Sequence, residues 1–491
     1  MRLSNSSLGQ LSPDVSVPNY GRAHLRHGIV HIGVGCFHRS HQAYYTHLLL
    51  QQNAGPDWAI CGVGLREGNR TKQQILKAQD YLYTLIELGP EGARAPIVVG
   101  SISEFLFAPD DPDAVIEKMA SPEVKIVSLT VTEGGYNVDD STGRFNADHP
   151  DVRYDLENPQ EPRSLFGYLT EALRRRRQRD VPPFTVMSCD NLPDNGKVTR
   201  GALLAFANLG DPELAKWIEA QVSFPSSMVD RITPSTSENN RRWLKDTYDL
   251  DDGWPVICEP FCQWVLEDDF CNGRPEWERV GVHFTDNVAP YERMKIRLLN
   301  ASHSAMAYLG YLAGYRFTHE VMADERFRQF IQDFMDEDVT PVLGAIPGVD
   351  IPAYKLTLIE RFSNPQMGDQ LARLCMDGSS KIPKFLVPTV EGLVQGGYSL
   401  SRVALVIASW ALYLRGEDER GDRHEIDDPL AQRLQAAVSD RASLMREFLG
   451  MTDLFGTTLA GSRVFADAFN AALEELESRG VIATLESMQQ T

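Results

Sequence analysis

Gly28-Ile-Val-His-Ile-Gly33-Val-Gly35-Cys-Phe-His38-Arg39 reads as a short β-rich run that ends in glycines and opens a helix. β-branched residues favour a pleated, extended backbone, and two closely spaced glycines let the chain turn sharply and approach a ligand with its backbone. A strand, a glycine turn and a helix near the start of a chain make the phosphate-holding end of a dinucleotide site, where a pyrophosphate meets the helix N-terminus. Gly33, Gly35, Phe37, His38 and Arg39 are therefore candidate cofactor-binding residues. The third glycine of the usual fingerprint is absent, with His38 in its place, and the spacing alone does not separate this reading from a plain strand-to-helix turn.

The run has companions. Residues 58–65, 124–132 and 184–189 are equally short and apolar, with helical periodicities at 37–52, 69–79, 112–120 and 164–178 between them. Short apolar runs alternating with helices predict a parallel sheet covered on both faces. Beyond about residue 285 strand-like runs become rare, and helical periodicity dominates at 291–314, 320–336, 366–376, 402–415, 429–448 and 463–479. A chain of 491 residues exceeds one ordinary core. The expected architecture is an α/β domain with a parallel-rich sheet over 1–285, then a mostly α-helical domain over 286–491.

Bulk composition narrows the function. Lys and Arg number 48 against 68 Asp and Glu, a formal charge of −20. That surface repels a phosphate backbone, so nucleic acid is not an expected partner. The basic run Arg174-Arg175-Arg176-Arg177 closes a helical pattern, where cations offset the helix dipole, and is expected to be a solvated face. Residues 1–20 lack the charged-then-apolar order of a signal peptide. The longest nearly apolar run, 403–414, is too short to span a bilayer, so no membrane partner is expected. Seven cysteines, odd in number and scattered, read as reduced thiols of a cytoplasmic protein. Their spacing offers no zinc set, and no metal is expected.

Three segments could carry chemistry. At the end of the second strand of such a sheet an acidic side chain takes the ribose hydroxyls of NAD, while cations favour the 2′-phosphate of NADP. The residues there are Leu65-Arg66-Glu67-Gly68-Asn69-Arg70, in which Glu67 leans toward NAD, while Arg66 and Arg70 leave NADP open. The second segment is Lys295-Ile-Arg-Leu-Leu-Asn300-Ala-Ser-His303, inside a helical pattern. At about 100° per residue its three polar groups fall within roughly 140° of one face. Buried groups of this kind need partners: either they act on a substrate, or Lys295 reaches solvent and His303 is a satisfied core residue. The third segment is Ser188-Cys189-Asp190-Asn191, at the end of the fourth strand run. Strand carboxyl ends face the ligand crevice, where Asn191 could donate to a developing alkoxide, although Asp-Asn is also a common turn pair. Met228-Val229-Asp230-Arg231 allows an internal ion pair, and Asp377-Gly-Ser-Ser-Lys381 has the composition of a turn.

Together these segments resemble the polyol-specific long-chain dehydrogenases, the mannitol dehydrogenase family, which includes the hexuronate reductases. The resemblance covers nearly the whole chain. Its most specific part is Lys-x4-Asn-x2-His at Lys295, Asn300 and His303. The start GxGxFxR-x-H (Gly33, Gly35, Phe37, Arg39, His41), Thr-Glu-Gly-Gly-Tyr at 132–136 and Ser-Cys-Asp-Asn at 188–191 agree as well. So do Met-Val-Asp-Arg at 228–231, Cys-Glu-Pro-Phe at 258–261 and Asp-Gly-Ser-Ser-Lys at 377–381. The resemblance implies a Rossmann-type N-terminal domain, a helical C-terminal domain and zinc-independent hydride transfer with NAD, D-mannitol and D-fructose being the first-choice pair. It implies Lys295 as general base, Asn191 and Asn300 as holders of the reacting oxygen, and His303 as a group that orients the substrate. It places Asp230, Arg373 and Lys381 on polyol hydroxyls and Glu292 near a proton path, and on the cofactor side it adds Asn69 to Glu67. NAD-specific relatives tend to carry an acidic pair around 68 and 69, where this chain has Gly68 and Asn69. A lysine base must work below its reference pKa of about 10.4, and desolvation lowers that value. Competing expectations are fructuronate or tagaturonate reduction, D-arabinitol oxidation, and, in another class, NAD-responsive binding without turnover. A monomer is compatible with this reading.

Overall fold

The structure, a computed structural model, describes residues 1–139 and 143–489. It divides into two compact units, Met1–Ala289 and Pro290–Thr491. The first is built on five strands, β1 (Ile29–Ile32), β2 (Ile60–Gly64), β3 (Ile102–Phe107), β4 (Ile126–Leu129) and β5 (Thr185–Ser188). They lie in the order β3-β2-β1-β4-β5, every neighbouring pair parallel. This is the Rossmann-type arrangement. The chain leaves β1 in one direction and later returns to the other side, which opens a crevice at the strand carboxyl ends. Ile29 stands opposite Ile60 on one flank and Ile126 on the other. Every residue of β1, β2, β4 and β5 is buried, as covering on both faces requires. Side chains of β1 alternate between two cores, Val30 and Ile32 in one and Ile29 in the other. Four of these strands coincide with the runs legible in the sequence. The fifth, β3, is an edge strand, Ile102-Ser-Glu-Phe-Leu-Phe107, only partly buried, and it follows at once on another strand, Ile97–Val99.

Helices Pro112–Ala120 and Leu165–Gln178 pack on each other and share the core of Val30 and Ile32. Asp111 caps the first by accepting from the Ala114 N–H at 2.9 Å, and Ser164 caps the second by accepting from the Gly167 N–H at 3.2 Å. Capping supplies acceptors for N–H groups that have none within the helix. The arginine run at the end of the second helix departs from expectation, because only Arg177 is exposed. Arg176 is fully buried, its Nε donating to Pro182 O (2.6 Å) and its Nη1 to Met119 O (2.9 Å) and Val124 O (2.8 Å). Arg175 pairs with Glu117 at 2.6 Å and with Asp113 at 2.7 Å. The run therefore ties a helix end to the loops around it. Arg176→Leu is expected to cost about 3 kcal/mol or more, the value of hydrogen bonds to a charged donor plus the carbonyls left bare. Arg177→Ala should stay within about 0.5 kcal/mol, and urea midpoints of the two variants read the difference.

The second unit is helical. Ala301–Leu312 packs on Ser401–Tyr413, which packs on Arg463–Met488. Residues 403–411 are buried on every side, as in a helix at the centre of a core. Among the described residues no helix is long and apolar enough to cross a membrane. The 377–381 segment, turn-like in composition, starts a helix instead: Asp377 adopts φ +54 and Gly378–Phe385 follows. A Cβ on Gly378 would come within 2.6 Å of Trp410 Nε1 and 2.8 Å of the Tyr308 hydroxyl, so glycine permits this close approach.

Two segments, Lys295–Asn300 and Phe334–Val339, are π-helical and pack against each other. In the second, Asp338 is 1% exposed. Burial pushes its carboxyl up to about 7, against the pull of Arg402, whose Nη1 lies 3.5 Å away. The folded state thus holds this proton more tightly than the unfolded chain does. The sign follows: stability is greatest below the ordinary aspartate value and is lost as pH rises from about 4 to about 7. Asp338→Asn removes the charge that must be buried. Its melting temperature relative to the parent should therefore rise across that interval and level off above it, as thermal scans at stepped pH would show.

Candidate active site

The glycine turn after β1 is held by both conformation and contact. Gly33 has φ +98, and a Cβ there would stand 2.0 Å from Thr130 O, at the end of β4. Gly35 has open space, its nearest neighbour to an added Cβ lying at 3.8 Å. The backbone of the turn can therefore be approached closely, and the first N–H groups of the helix Cys36–Ser40 have no acceptor within that helix. These features fit a pyrophosphate held by Gly33, Gly35 and the residues after them.

The side chains that follow lie beneath the turn. Phe37 is partly exposed and stacks on His41, ring centroids 4.9 Å apart. His38, at the third-glycine position, is 1% exposed and stacks on His31 of β1. Burial drives both imidazoles toward the neutral form, His31 down to about 3 and His38 well below its ordinary value. His31 reaches Thr130 Oγ1 at 2.9 Å, and that hydroxyl donates to Gly33 O at 2.6 Å. Arg39 is fully buried, donates to Gly35 O at 3.3 Å and to Trp254 O, and lies 3.7 Å from the centroid of the Trp254 ring. The sequence groups His38 and Arg39 with groups that touch the cofactor. In the structure both side chains are packed beneath the turn.

At the end of β2, Asn69 packs against Gly64, whose added Cβ would stand 2.8 Å from Asn69 Cβ. Glu67 is exposed and pairs with Arg70, Arg70 Nη2 donating to Glu67 Oε2 at 3.0 Å. Arg70 holds the Glu67 carboxyl below its usual range. Arg70 also pairs with Asp110 at 2.9 Å and lies over the Phe107 ring. One of the two cations that would favour a 2′-phosphate is thus already turned toward two carboxylates.

Asn191 is exposed just past β5, and Asp230 ends the strand Ser227–Asp230 with 5% exposure. Arg231 makes its ion pair outside its own segment: Nη2 donates to Glu87 Oε1 at 2.6 Å, and Nη1 donates to Ser40 O at 2.6 Å. Asp190, not singled out by the sequence, is the centre of a local network. Its carboxylate accepts from Val131 N–H (3.0 Å), Thr132 N–H (2.9 Å) and the Tyr136 hydroxyl (2.7 Å). Burial pushes that carboxyl up, and these donors oppose the shift.

In the second unit, Glu292 (9% exposed) lies in the helix Ala289–Met294, and Lys295 (7% exposed) begins the π segment that ends at Asn300. The π register changes the expected geometry. Its hydrogen bonds run five residues along the chain, so Asn300 lies one turn after Lys295 on the same face. An α-helix would have put about 140° between them. A π-bulge interrupting α-helix often marks a functional site. His303 follows in Ala301–Leu312, with its ring 4.7 Å from that of Phe362. The helix Gly378–Phe385, which carries Lys381, packs against the π segment. Lys381 donates to Leu374 O at 3.2 Å, closing the end of the helix Leu371–Cys375, and burial lowers its pKa. Arg373 is exposed and donates twice to Asp369 Oδ1, at 3.0 and 2.6 Å. Within this unit Lys295 and Asn300 thus share one face and Lys381 lies on a helix beside them, while Arg373 is held by a carboxylate on its own surface.

Comparison with known proteins adds to this geometry. The mannitol dehydrogenase Rossmann domain matches residues 27–279, and the mannitol dehydrogenase C-terminal domain matches 287–477. A mannitol 2-dehydrogenase of Phaeosphaeria nodorum is 47% identical over 99% of this chain and 85% of its own. One from Aspergillus oryzae is 45% identical, covering 99% of this chain and 98% of its own. Among solved structures, the Pseudomonas fluorescens mannitol 2-dehydrogenase in ternary complex with NAD and D-mannitol is 53% identical, with a TM-score of 0.87 and full coverage of both chains. A D-sorbitol dehydrogenase in substrate-free form is 39% identical, with a TM-score of 0.92, over 99% of this chain and 100% of its own.

Gly33→Ala is expected to weaken NADH binding at least tenfold, because the added methyl meets Thr130 O and the residue must keep a positive φ. Gly68→Ala, where an added Cβ meets nothing, should leave binding within about twofold. Nicotinamide fluorescence titration of both variants measures this.

Proposed function

The chain belongs to the mannitol dehydrogenase family, and we infer that it interconverts D-mannitol and D-fructose with NAD(H). The observation that carries this reading is its 53% identity, over the full length of both chains, to a mannitol 2-dehydrogenase solved with NAD and D-mannitol. Gly33, Gly35, Glu67 and Asn69 would hold the dinucleotide, and when bound it supplies the acceptor for the hydride leaving the alcohol carbon. Everything else falls to side chains of this protein.

Oxidation of a secondary alcohol also removes the hydroxyl proton. Lys295 takes that proton in our reading and returns it in reduction, as a general base and acid. Asn300, one π turn away, and Asn191 donate amide N–H groups to the oxygen as its negative charge develops. Fixed donors at that atom act as an oxyanion hole, and removing one typically costs about 10²–10³ in rate. Glu292, close to Lys295 along the chain, is assigned to the proton path. His303, Asp230, Arg373 and Lys381 are assigned to orienting the polyol. Arg373 must then share its guanidinium between Asp369 and substrate. The seven cysteines are all free thiols, which supports a cytoplasmic location; a monomer is the simplest assembly for the proposed site.

The test is initial-rate oxidation of NADH and NADPH with fructose, sorbose, fructuronate and tagaturonate, each with and without EDTA. Chelator-insensitive turnover, fastest with fructose and NADH, is the expected result. Faster turnover of a uronate would move the chain to the reductase branch. NADH binding without turnover of any ketose would replace the enzyme with a binding protein.

A further inference from the structure

The carboxyl ends of β4 and β5 carry a feature that the assigned roles leave unused. Thr132, three residues past β4, has φ +62 and ψ 168. That combination is essentially confined to glycine, because a β-carbon there crowds the backbone. A branched residue persists in it only when its surroundings over-determine the conformation. Other non-glycine residues with positive φ, such as Asn137, Asp194, Asp249 and Asp377, have ψ of 31 to 38, in the ordinary left-handed region.

What holds Thr132 is Asp190. Its two carboxylate oxygens accept the consecutive N–H groups of Val131 (3.0 Å) and Thr132 (2.9 Å), and the Tyr136 hydroxyl completes the set at 2.7 Å. Tyr136 is itself fixed, within 2.6 Å of Ser188 Oγ. The main chain of Asp190 is pinned just as firmly. Its N–H donates to Ser188 Oγ at 3.2 Å, and its carbonyl accepts from Asn195 Nδ2 at 3.0 Å and from Leu192 N–H at 2.9 Å. These bonds bracket Asn191, which lies between Asp190 and Leu192. One buried side chain, 8% exposed, therefore joins a strained turn after β4 to the backbone that presents Asn191 after β5.

We propose that Asp190 is a positioning residue for the reaction: by clasping the Val131 and Thr132 N–H groups it keeps Thr132 in a glycine-only conformation and sets the place of Asn191 at the crevice end of the sheet. The proposal rests on the mannitol–fructose reading for its catalytic consequence, but the clasp is a property of the fold. Charge matters because an ionised carboxylate accepts from all three donors, whereas an amide turns its NH2 toward one of them.

A cycle of Asp190→Asn, Thr132→Gly and the double variant tests this, reading melting temperature, NADH affinity by fluorescence, and steady-state kinetics with fructose. Asp190→Asn should lower kcat roughly tenfold to a hundredfold, the size of a charged hydrogen bond lost. KM should stay within about threefold, since a displaced oxyanion donor is felt mainly in the transition state. Thr132→Gly makes the turn conformation easy without the clasp. The double variant should therefore regain at least threefold in kcat over Asp190→Asn, and its melting temperature should exceed that of Asp190→Asn. A double variant no faster than Asp190→Asn, or a loss that vanishes when rates are divided by the fraction of folded protein, would overturn the proposal. Absence of fructose turnover in the parent would sink the substrate reading alone. The melting temperatures would still reveal coupling between residues 132 and 190, and additive shifts there would dismiss the clasp.

Discussion

The chemistry proposed for this protein depends on a change of helical register. Between Lys295 and Asn300 the backbone bonds in π fashion, which places the amine and the amide on one face a single turn apart. In an unbroken α-helix the two would stand about 140° apart, at the opposite edges of that face. A π turn leaves longer hydrogen bonds and poorer packing than an α turn, so something must hold it. Here the helix Gly378–Phe385 and a second π segment, Phe334–Val339, pack against it. Gly378 lets the first of these helices approach Tyr308 and Trp410 within the space of a missing methyl.

The Rossmann-type unit solves a different problem, how to keep backbone exposed to a ligand yet rigid. Gly33 cannot bear a side chain beside Thr130 O, and three of the polar groups under the turn are paired with its backbone. His31, Thr130 and Arg39 all direct hydrogen bonds toward Gly33 or Gly35 carbonyls. Buried polar groups satisfied in this way fix one conformation at little net cost, whereas a bare one would be destabilising. The same logic recurs at Asp190, where three donors converge on one carboxylate.

Much of this architecture is legible in the sequence, for identifiable reasons. Strands buried on both faces are continuous apolar runs, so β1, β2, β4 and β5 announce themselves, whereas the half-exposed edge strand β3 does not. Helix patterns survive in the C-terminal half because a 3.6-residue period repeats over several turns. A π insertion shifts that period by one residue and leaves no compositional trace, so the alignment of Lys295 with Asn300 could not be read beforehand. Arg176 was hidden for another reason. A run of arginines looks solvated, and only the carbonyls of Met119, at a helix end, and of Val124 and Pro182, in loops, reveal a buried seat. His38 and Arg39 stand in the motif with their side chains buried, since consecutive residues of a helix lie about 100° apart and two neighbours can share the inward face. Motif spacing identifies the segment and not the direction in which each side chain points.

The most direct test of the account is single-turnover reduction of fructose by Lys295→Ala, with NADH affinity measured on the same sample. The account predicts that NADH binds as it does to the parent while turnover falls by at least a hundredfold, as loss of a general acid requires. Retention of more than a tenth of the parent rate, with binding intact, would show that the proton is handled by another group and that the face shared by Lys295 and Asn300 is not the seat of the chemistry.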